Sequence, residues 1–146
     1  DPKSPGREER AMTTVRIGDA IPSLTLPPLS RATLALYAGG SGDHVPLHID
    51  AGFAKGAGYP DVFMHGMLGC AYVVRALTEW VSQDAVHDLQ VRFVAITYPE
   101  EVLTATGVVS ETAVDGVPNR CRVDLELRNS AGERKLAGFA IIDHPT

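Results

Sequence analysis

An aspartate and a histidine lie five positions apart in a short glycine-rich stretch of the chain, residues 37–50. The pair is Asp43 and His48, with Gly42 directly before the aspartate and Pro46 between the two. Because glycine and proline weaken helices and strands, this composition predicts a stiff loop. A carboxylate and an imidazole on such a loop can hold a water molecule and move its protons, which is general acid–base chemistry. Taken alone, the pair fits better an aspartate that caps a turn and a histidine that packs in the core.

A second group of residues suited to chemistry is Met64-His65-Gly66-Met67, at the start of the longest apolar stretch. The first backbone N–H groups of a helix lack partners inside the helix and carry partial positive charge. Since Gly66 has no side chain, a substrate carbonyl could approach its N–H closely, as in an oxyanion hole. The alternative is that Gly66 only permits close packing. We expect His65 to be a structural or orienting group rather than a catalytic one.

The helices that hold these groups follow from apolar periodicity. One is predicted over 31–38, between a serine that caps its start and a glycine pair that ends it. The longest is predicted over 66–81, and because almost every face of it is apolar it should be buried in the middle of the protein. A shorter helical turn is expected over 50–57, with Phe53 and Ala54 facing inward.

Most of the remaining chain alternates between apolar and polar residues, which is typical of strands with one buried face. An antiparallel sheet with helices segregated from its strands is an α+β architecture. The predicted segments are a short strand and turn at 15–19, an edge segment at 24–29, and longer strands at 89–95, 102–109, 121–128 and 136–142. On the first long strand we expect Leu89, Val91, Phe93 and Ala95 to share one face.

Composition excludes several classes of function. The 146 residues correspond to one domain, and 45% hydrophobic and 21% charged residues are ordinary for a globular protein. A net charge of −5 without a basic stripe argues against a nucleic-acid partner. No stretch reaches about 18 uninterrupted apolar residues, so no membrane span is expected.

The two cysteines and the start of the chain indicate the compartment. Cys70 and Cys121 both lie in apolar patterns and are expected to be buried thiols rather than a disulfide, which fits a reducing cytoplasm. Residues 1–11 are charged and lack the apolar core of a signal peptide, so we expect a disordered tail or expression remnant. Met12 could be the natural start, with a single domain over 12–146.

Together, the loop and the helix start resemble the MaoC-like (R)-specific enoyl-CoA hydratases. Residues 37–48 read Tyr-Ala-Gly-Gly-Ser-Gly-Asp-His-Val-Pro-Leu-His, beside the family's Ser/Gly-Gly-Asp-x-Asn-Pro-x-His. Phe53-Ala54 follows, and His-Gly-Met-Leu at 65–68 matches the family's His-Gly-Met/Leu. The combination is specific, although neither half would be alone.

This resemblance implies a hot-dog fold, in which a curved antiparallel sheet wraps around the central helix. It implies a dimer with acyl-CoA sites at the subunit interface, and no metal or other cofactor. Asp43 and His48 would activate water for addition to a 2-enoyl thioester, linked to CoA or to a carrier protein. The Gly66 N–H would polarise the thioester carbonyl, and the product would be the (3R)-hydroxyacyl thioester. Whether Asp43 or His48 supplies the proton at C2 is left open.

Further residues are expected to contact the substrate or to surround the site. Aromatic side chains near the central helix, Tyr59 among them, would either line an acyl tunnel or belong to the core. His44 should face solvent, and the spacing of His44, His48, Asp50 and His65 matches no zinc motif. The expected substrate-binding residues are Tyr37, Ser41, Pro46, Phe53, Phe63, His65 and Met67.

Two departures from the family pattern leave alternatives open. Val45 stands where the family usually has asparagine, and Val74 where some members place a serine. The chain could therefore act on an altered substrate or be a non-catalytic subunit of a heteromeric dehydratase. A hot-dog acyl-CoA thioesterase is a further alternative. A homodimer is expected, with a heterodimer as the other assembly.

Overall fold

The computed structural model describes residues 14–145. The predicted tail over 1–11 and the proposed start at Met12 lie outside the described residues. Both cysteines are buried and unpaired, as expected. Within the described part of the chain, no helix has the length and apolar character needed to cross a membrane.

Within residues 14–145, five antiparallel strands form a single sheet in the order β1-β3-β4-β5-β2. The helix α3 packs against β1, β3, β4 and β5, which places the core between helix and sheet. This arrangement confirms the α+β class and the expected hot-dog fold. The strands are β1 Leu24–Thr25, β2 Val86–Phe93, β3 Leu103–Thr112, β4 Arg120–Asn129 and β5 Arg134–Asp143; the helices are α1 Arg31–Ser41, α2 Ala51–Gly56 and α3 Gly66–Thr78.

Strand β4 follows the predicted alternation throughout. Its apolar residues point into the core and are at most 2% exposed, while the charged residues between them lie on the outer face. The buried set is Cys121, Val123, Leu125 and Leu127. Period-two burial of this kind sets the register of the strand, since a slip of one residue would expose the whole set.

Helix α1 is longer than predicted. Ser30 caps it as expected, because its Oγ accepts the N–H of Thr33 at 3.0 Å. The glycine pair Gly39-Gly40 does not end the helix, which continues to Ser41. The first part of the predicted loop is therefore helical. Helical glycines cost roughly 1 kcal/mol each relative to alanine, and burial of the opposite face of α1 offsets that cost.

Helix α3 is shorter and less enclosed than predicted. It ends at Thr78 rather than Val81. One face is buried against the sheet, but Met67 is 57% exposed and Ala71 is exposed as well. The prediction of a helix buried all round is wrong for the single chain, because the sheet covers only one side of α3.

Two shorter segments also differ from expectation. In α2, Ala54 is fully buried but Phe53 is 51% exposed, so only one of the two predicted inward residues faces the core. The segment 15–19 forms a turn and not a strand, since the Arg16 N–H bonds the carboxylate of Asp19. The edge position of β1 is confirmed by the strand order.

Strand β2 begins and ends earlier than predicted. Leu89 and Val91 face the core side and are partly buried. Phe93, the last residue of the strand, lies on the same side and contacts the start of α3, but it is 51% exposed. The chain departs from regular pairing here, because the N–H groups of Val94 and Ala95 both point to the Lys135 carbonyl.

Candidate active site

The loop that follows α1 is held by hydrogen bonds within its own segment. Gly42 takes a left-handed conformation, with φ of 76°, and its N–H bonds the Ala38 carbonyl. Ser41 Oγ donates to the Tyr37 carbonyl at 2.7 Å and accepts the Asp43 N–H at 3.2 Å. Ser41, a predicted substrate contact, is therefore engaged in stabilising the turn that presents Asp43.

His48 lies at the end of a short 3-10 helix, Pro46–His48, which Pro46 begins. Its Nδ1 lies 2.7 Å from the Phe63 carbonyl. A carbonyl can only accept, so Nδ1 carries the proton and Nε2 has a free lone pair. Phe63 also packs edge-on against the imidazole, with ring centroids 5.1 Å apart. These contacts leave Nε2 as the basic atom.

Nε2 of His48 lies 4.0 Å from Oδ2 of Asp43. This separation is too long for a direct hydrogen bond. It suits a single water molecule that touches both groups. The other carboxylate oxygen of Asp43 accepts the Val45 N–H at 3.3 Å. The Asp43 side chain is 46% exposed and that of His48 only 12%, so the pair faces solvent from the carboxylate side.

His65 joins the loop to the start of α3. The residue is 2% exposed, and its Nε2 lies 3.1 Å from the backbone carbonyl of Asp43. Its ring stacks on that of His48, with centroids 3.9 Å apart, and the ring of Tyr37 meets it edge-on at 4.8 Å. Burial, and the nearby His48, lower the pKa of His65. Because the Asp43 carbonyl accepts, Nε2 carries the proton of the neutral ring.

Gly66 is the first residue of α3, directly after His65. The N-cap residue His65 makes no side-chain capping bond, so no side chain at that position serves the first N–H groups of the helix. A Cβ at Gly66 would lie 3.2 Å from ring carbons of Phe93, which is closer than ordinary contact. The missing side chain thus serves packing against Phe93 and leaves the helix start open to a ligand.

Behind Gly66 lies a small cavity of about 30 Å³ between α3 and the sheet. Phe93 and Thr97 line it together with the buried Lys135. The Thr97 hydroxyl is buried and has no partner among the described residues. A cavity of this size holds one water molecule, which would satisfy that hydroxyl.

The segment under the helix start is fixed by Lys135. Its Nζ is buried and donates to the Ile96 carbonyl at 2.7 Å, with Glu101 at 3.0 Å and Glu133 also in contact. Burial alone would lower the pKa of Lys135, but the two carboxylates outweigh it and the pKa is raised. Thr97 follows Ile96 in the chain, and its backbone carbonyl accepts the Met64 N–H at 2.9 Å. The ion cluster of Lys135, Glu101 and Glu133 therefore supports the start of α3.

Asp43, His48 and His65 could in principle supply three metal ligands, since one atom from each lies within 4.8 Å of the others. The stacking of the two imidazoles argues against a shared metal. The lone pairs of stacked rings lie in two nearly parallel, separated planes, whereas a metal bound by two histidines needs lone pairs that converge on it at about 2.0–2.1 Å. Asp50 caps α2, and the exposed His44 bonds the Gly42 carbonyl, so neither joins the group.

The fold gathers some of the predicted site residues and not others. Those that meet are Asp43, His48, Gly66, Tyr37, Phe63 and His65. The other four lie at the surface: Ser41 and Pro46 are exposed, Phe53 is 51% exposed and Met67 is 57% exposed. Sequence reasoning missed the contact between Phe93 and Gly66, because alternation had assigned Phe93 to the core. It also missed Thr97 and Lys135, for which no local pattern gave a signal.

Comparisons with known proteins agree with this architecture. The family described as MaoC like domain matches residues 5–128. Enoyl-CoA hydratase 2, peroxisomal, of Arabidopsis thaliana is 30% identical over 105 residues, which are 70% of this chain and 31% of that protein. This chain therefore spans about a third of that relative's length.

Solved structures show the same fold. The unliganded R-hydratase PhaJ1 from Pseudomonas aeruginosa is 26% identical, with a TM-score of 0.79 over 90% of this chain and 83% of that one. The ChsH1-ChsH2 complex from Mycobacterium tuberculosis gives a TM-score of 0.78 at 20% identity, over 91% of this chain and 100% of that one. With the family match covering most of its length, this chain belongs to the MaoC-like domain family.

Proposed function

We propose that this chain is an enoyl-thioester hydratase that adds water across the 2,3 double bond and forms the (3R)-hydroxyacyl thioester. The observation that carries the proposal is the 4.0 Å separation between Nε2 of His48 and Oδ2 of Asp43. Because the Phe63 carbonyl holds the proton on Nδ1, Nε2 is available as a base toward a water placed between the two groups. The family match and the hydratase relatives support the same reaction.

In the proposed reaction, Nε2 of His48 takes a proton from the water while the water oxygen bonds to C3 of the substrate. The electron pair of the double bond moves toward the thioester carbonyl, whose oxygen gains negative charge. The Gly66 N–H would stabilise that charge, and loss of one such donor typically costs about 3–4 kcal/mol of transition-state stabilisation. A proton is then returned to C2, so that the water is added completely.

The surface around the site indicates what covers it. Val45, Ile49, Phe53, Met67 and Phe93 are apolar and between 46% and 57% exposed in the single chain. Four of them lie on the loop, at the start of α3 or against Gly66, and exposed apolar patches mark binding surfaces. We assign them to the thioester arm of the substrate and to a second copy of this chain, for which the open edge of β2 offers unpaired backbone groups.

The extent and location of the protein are part of the same proposal. Residues 12–146 would form one hot-dog domain. The unpaired buried thiols of Cys70 and Cys121 support a reducing compartment such as the cytoplasm. CoA or carrier-protein linkage of the substrate would be distinguished by supplying each thioester in turn.

The test measures loss of enoyl absorbance with 2-butenoyl-CoA. Asp43→Asn and His48→Ala should each lower kcat by roughly 10²–10⁴-fold, the range for a lost general acid or base. His44→Ala is the matched control, because His44 is exposed on the same loop and should leave the rate unchanged. Full activity in either of the first two variants would overturn the proposal. A thiol trap in the same assay detects CoA release, which would identify a thioesterase instead.

One observation keeps a second function open. Val45 is 46% exposed beside Asp43 and presents no polar group, where the family resemblance leads us to expect asparagine. A chain with an incomplete loop would serve as the non-catalytic subunit of a heteromeric dehydratase. Purified alone, such a chain would be inactive and would gain activity only with a second MaoC-like chain. Robust activity of the isolated chain rules this role out.

A further inference from the structure

We propose that His65 is a positioning residue, whose Nε2–H holds the peptide of Asp43 against the start of α3. This bond holds the loop that carries Asp43 and His48 at a constant position relative to the Gly66 N–H, the proposed oxyanion donor. The inference rests on the proposed function for its kinetic consequences. The tautomer of His65 and its bond to the Asp43 carbonyl can be measured without an activity assay.

The first support is the path that the bond closes. Asp43 and His65 are 22 positions apart, and Nε2 of His65 lies 3.1 Å from the Asp43 carbonyl. Gly66, the proposed oxyanion donor, is the next residue after His65. A single side chain therefore connects the backbone of the proposed water-activating group to the backbone of the proposed oxyanion donor.

The second support is how tightly the imidazole is held. It is 2% exposed, with the His48 ring stacked on one side at 3.9 Å and the edge of Tyr37 at 4.8 Å. A ring packed this closely has little freedom to rotate, so the direction of its N–H is set by the packing. Because the two rings are stacked, the fixed orientation of His65 also restricts the ring of His48, the proposed base.

The third support concerns charge. The groups that face His65 are the His48 imidazole, the Asp43 peptide and carboxylate, and the Tyr37 ring. Nδ1 of His65 is buried without a hydrogen-bond partner among the described residues. A proton on that atom would be buried unpaired, which favours the neutral ring with its proton on Nε2. A neutral donor fixes the loop without adding positive charge beside His48.

The kinetic test uses a matched pair of variants, His65→Gln and His65→Met. The two side chains have similar length, but only glutamine retains an N–H near the position of Nε2. A displacement of about 1 Å in a catalytic group can cost about 100-fold in rate. With 2-butenoyl-CoA, we expect kcat of His65→Met to fall roughly 10–100-fold below that of His65→Gln, with KM nearly equal. Equal kcat values in the two variants, at similar thermal stability, would overturn the proposal.

A second measurement uses the wild-type protein and needs no turnover. Imidazole ¹⁵N shifts report which nitrogen carries the proton, and we expect Nε2–H for His65 at neutral pH. The Nδ1–H tautomer would overturn the proposal. The amide of His44, which follows the Asp43 carbonyl, should shift in His65→Met and stay near its wild-type position in His65→Gln. An inactive wild type would overturn the proposed function, and these spectra would still decide the role of His65.

Discussion

The imidazole of His48 donates its Nδ1–H to the carbonyl of Phe63 at 2.7 Å. This bond determines which nitrogen of His48 is basic, and it ties the 3-10 helix of the loop to the segment that leads into α3. The proposed base thus depends on a backbone group outside its own loop. Orientation of a histidine by a hydrogen bond to its second nitrogen is a common requirement for a defined tautomer.

Gly66→Ala should affect kcat more strongly than it affects the free energy of unfolding. The new methyl group would lie 3.2 Å from the Phe93 ring and beside the proposed oxyanion donor. We expect roughly a 10–100-fold loss of kcat, less than the loss of a complete oxyanion donor.

The double variant Gly66→Ala, Phe93→Ala separates the two causes of that loss. Recovery of activity would show that the methyl group acts by displacing Phe93, and no recovery would show that it blocks the carbonyl. Gly69→Ala is the control, because its methyl group would press on Met64 and Leu127 in the core. That change should cost about 1–3 kcal/mol of unfolding free energy, while the proposed donor keeps its position.

Stability should fall as the pH is lowered from about 7 toward 5, because burial lowers the pKa of His65 in the folded protein. The unfolded chain then binds more protons than the folded one as the pH falls below about 6.5, the ordinary value for histidine. The stability contributed by neutral His65 is present above that pH and is lost progressively below it.

Urea denaturation at a series of pH values checks this dependence. His65→Met removes the titrating group, so its unfolding free energy should vary less between pH 7 and 5 than that of the wild type. If the unfolding free energy of His65→Met varied with pH as that of the wild type does, the assignment of this pH dependence to His65 would be contradicted.

Removal of divalent metals should leave the hydration rate unchanged. The His48 and His65 rings are stacked at 3.9 Å, so their lone pairs do not converge on one ion. Dialysis against EDTA, followed by the 2-butenoyl-CoA assay, checks this expectation. A loss of activity that Zn²⁺ restores would instead identify Asp43, His48 and His65 as ligands.

Lys135→Met should destabilise the fold by roughly 2–3 kcal/mol. The change leaves the Ile96 carbonyl and the partly buried Glu101 without their cation. The expected cost lies below the ~3–5 kcal/mol typical of a broken buried pair, because Glu133 is more than half exposed and can be solvated. Urea denaturation measures it.

Lys55→Met provides the comparison for this substitution, since Lys55 is exposed on α2. It should change the unfolding free energy by less than about 0.5 kcal/mol. Adding Glu101→Gln to Lys135→Met should restore part of the loss, because it removes one of the uncompensated charges. An equal effect of the two lysine substitutions would contradict the importance of the ion cluster.

Several features could be predicted from the sequence because they depend on residues close together in the chain. The alternation of β4, the cap at Ser30 and the start of α3 at Gly66 all follow from local periodicity and backbone chemistry. The pairing of Asp43 with His48 belongs to the same group, since both lie on one short loop. These local signals were enough to predict the α+β class and to identify the resemblance to the MaoC-like family.

Other features could not be predicted, because their causes lie in distant parts of the chain. Helix α1 continues through Gly39-Gly40, since packing outweighs the weak helix propensity of glycine. Phe53 and Phe93 are half exposed despite apolar patterns that predicted burial. Alternation and helical periodicity locate apolar residues on a face, but only the neighbouring elements decide whether that face is covered.

The sequence by itself determined which groups are available for chemistry: one carboxylate, two imidazoles and an unobstructed helix start. Only the tertiary structure decided how they act together. The bond from His48 to Phe63 spans 15 positions and the bond from His65 to Asp43 spans 22. Tautomer, charge state and separation of the site groups depend on these contacts, and no local pattern encodes them because the partners meet only when α3 packs on the sheet.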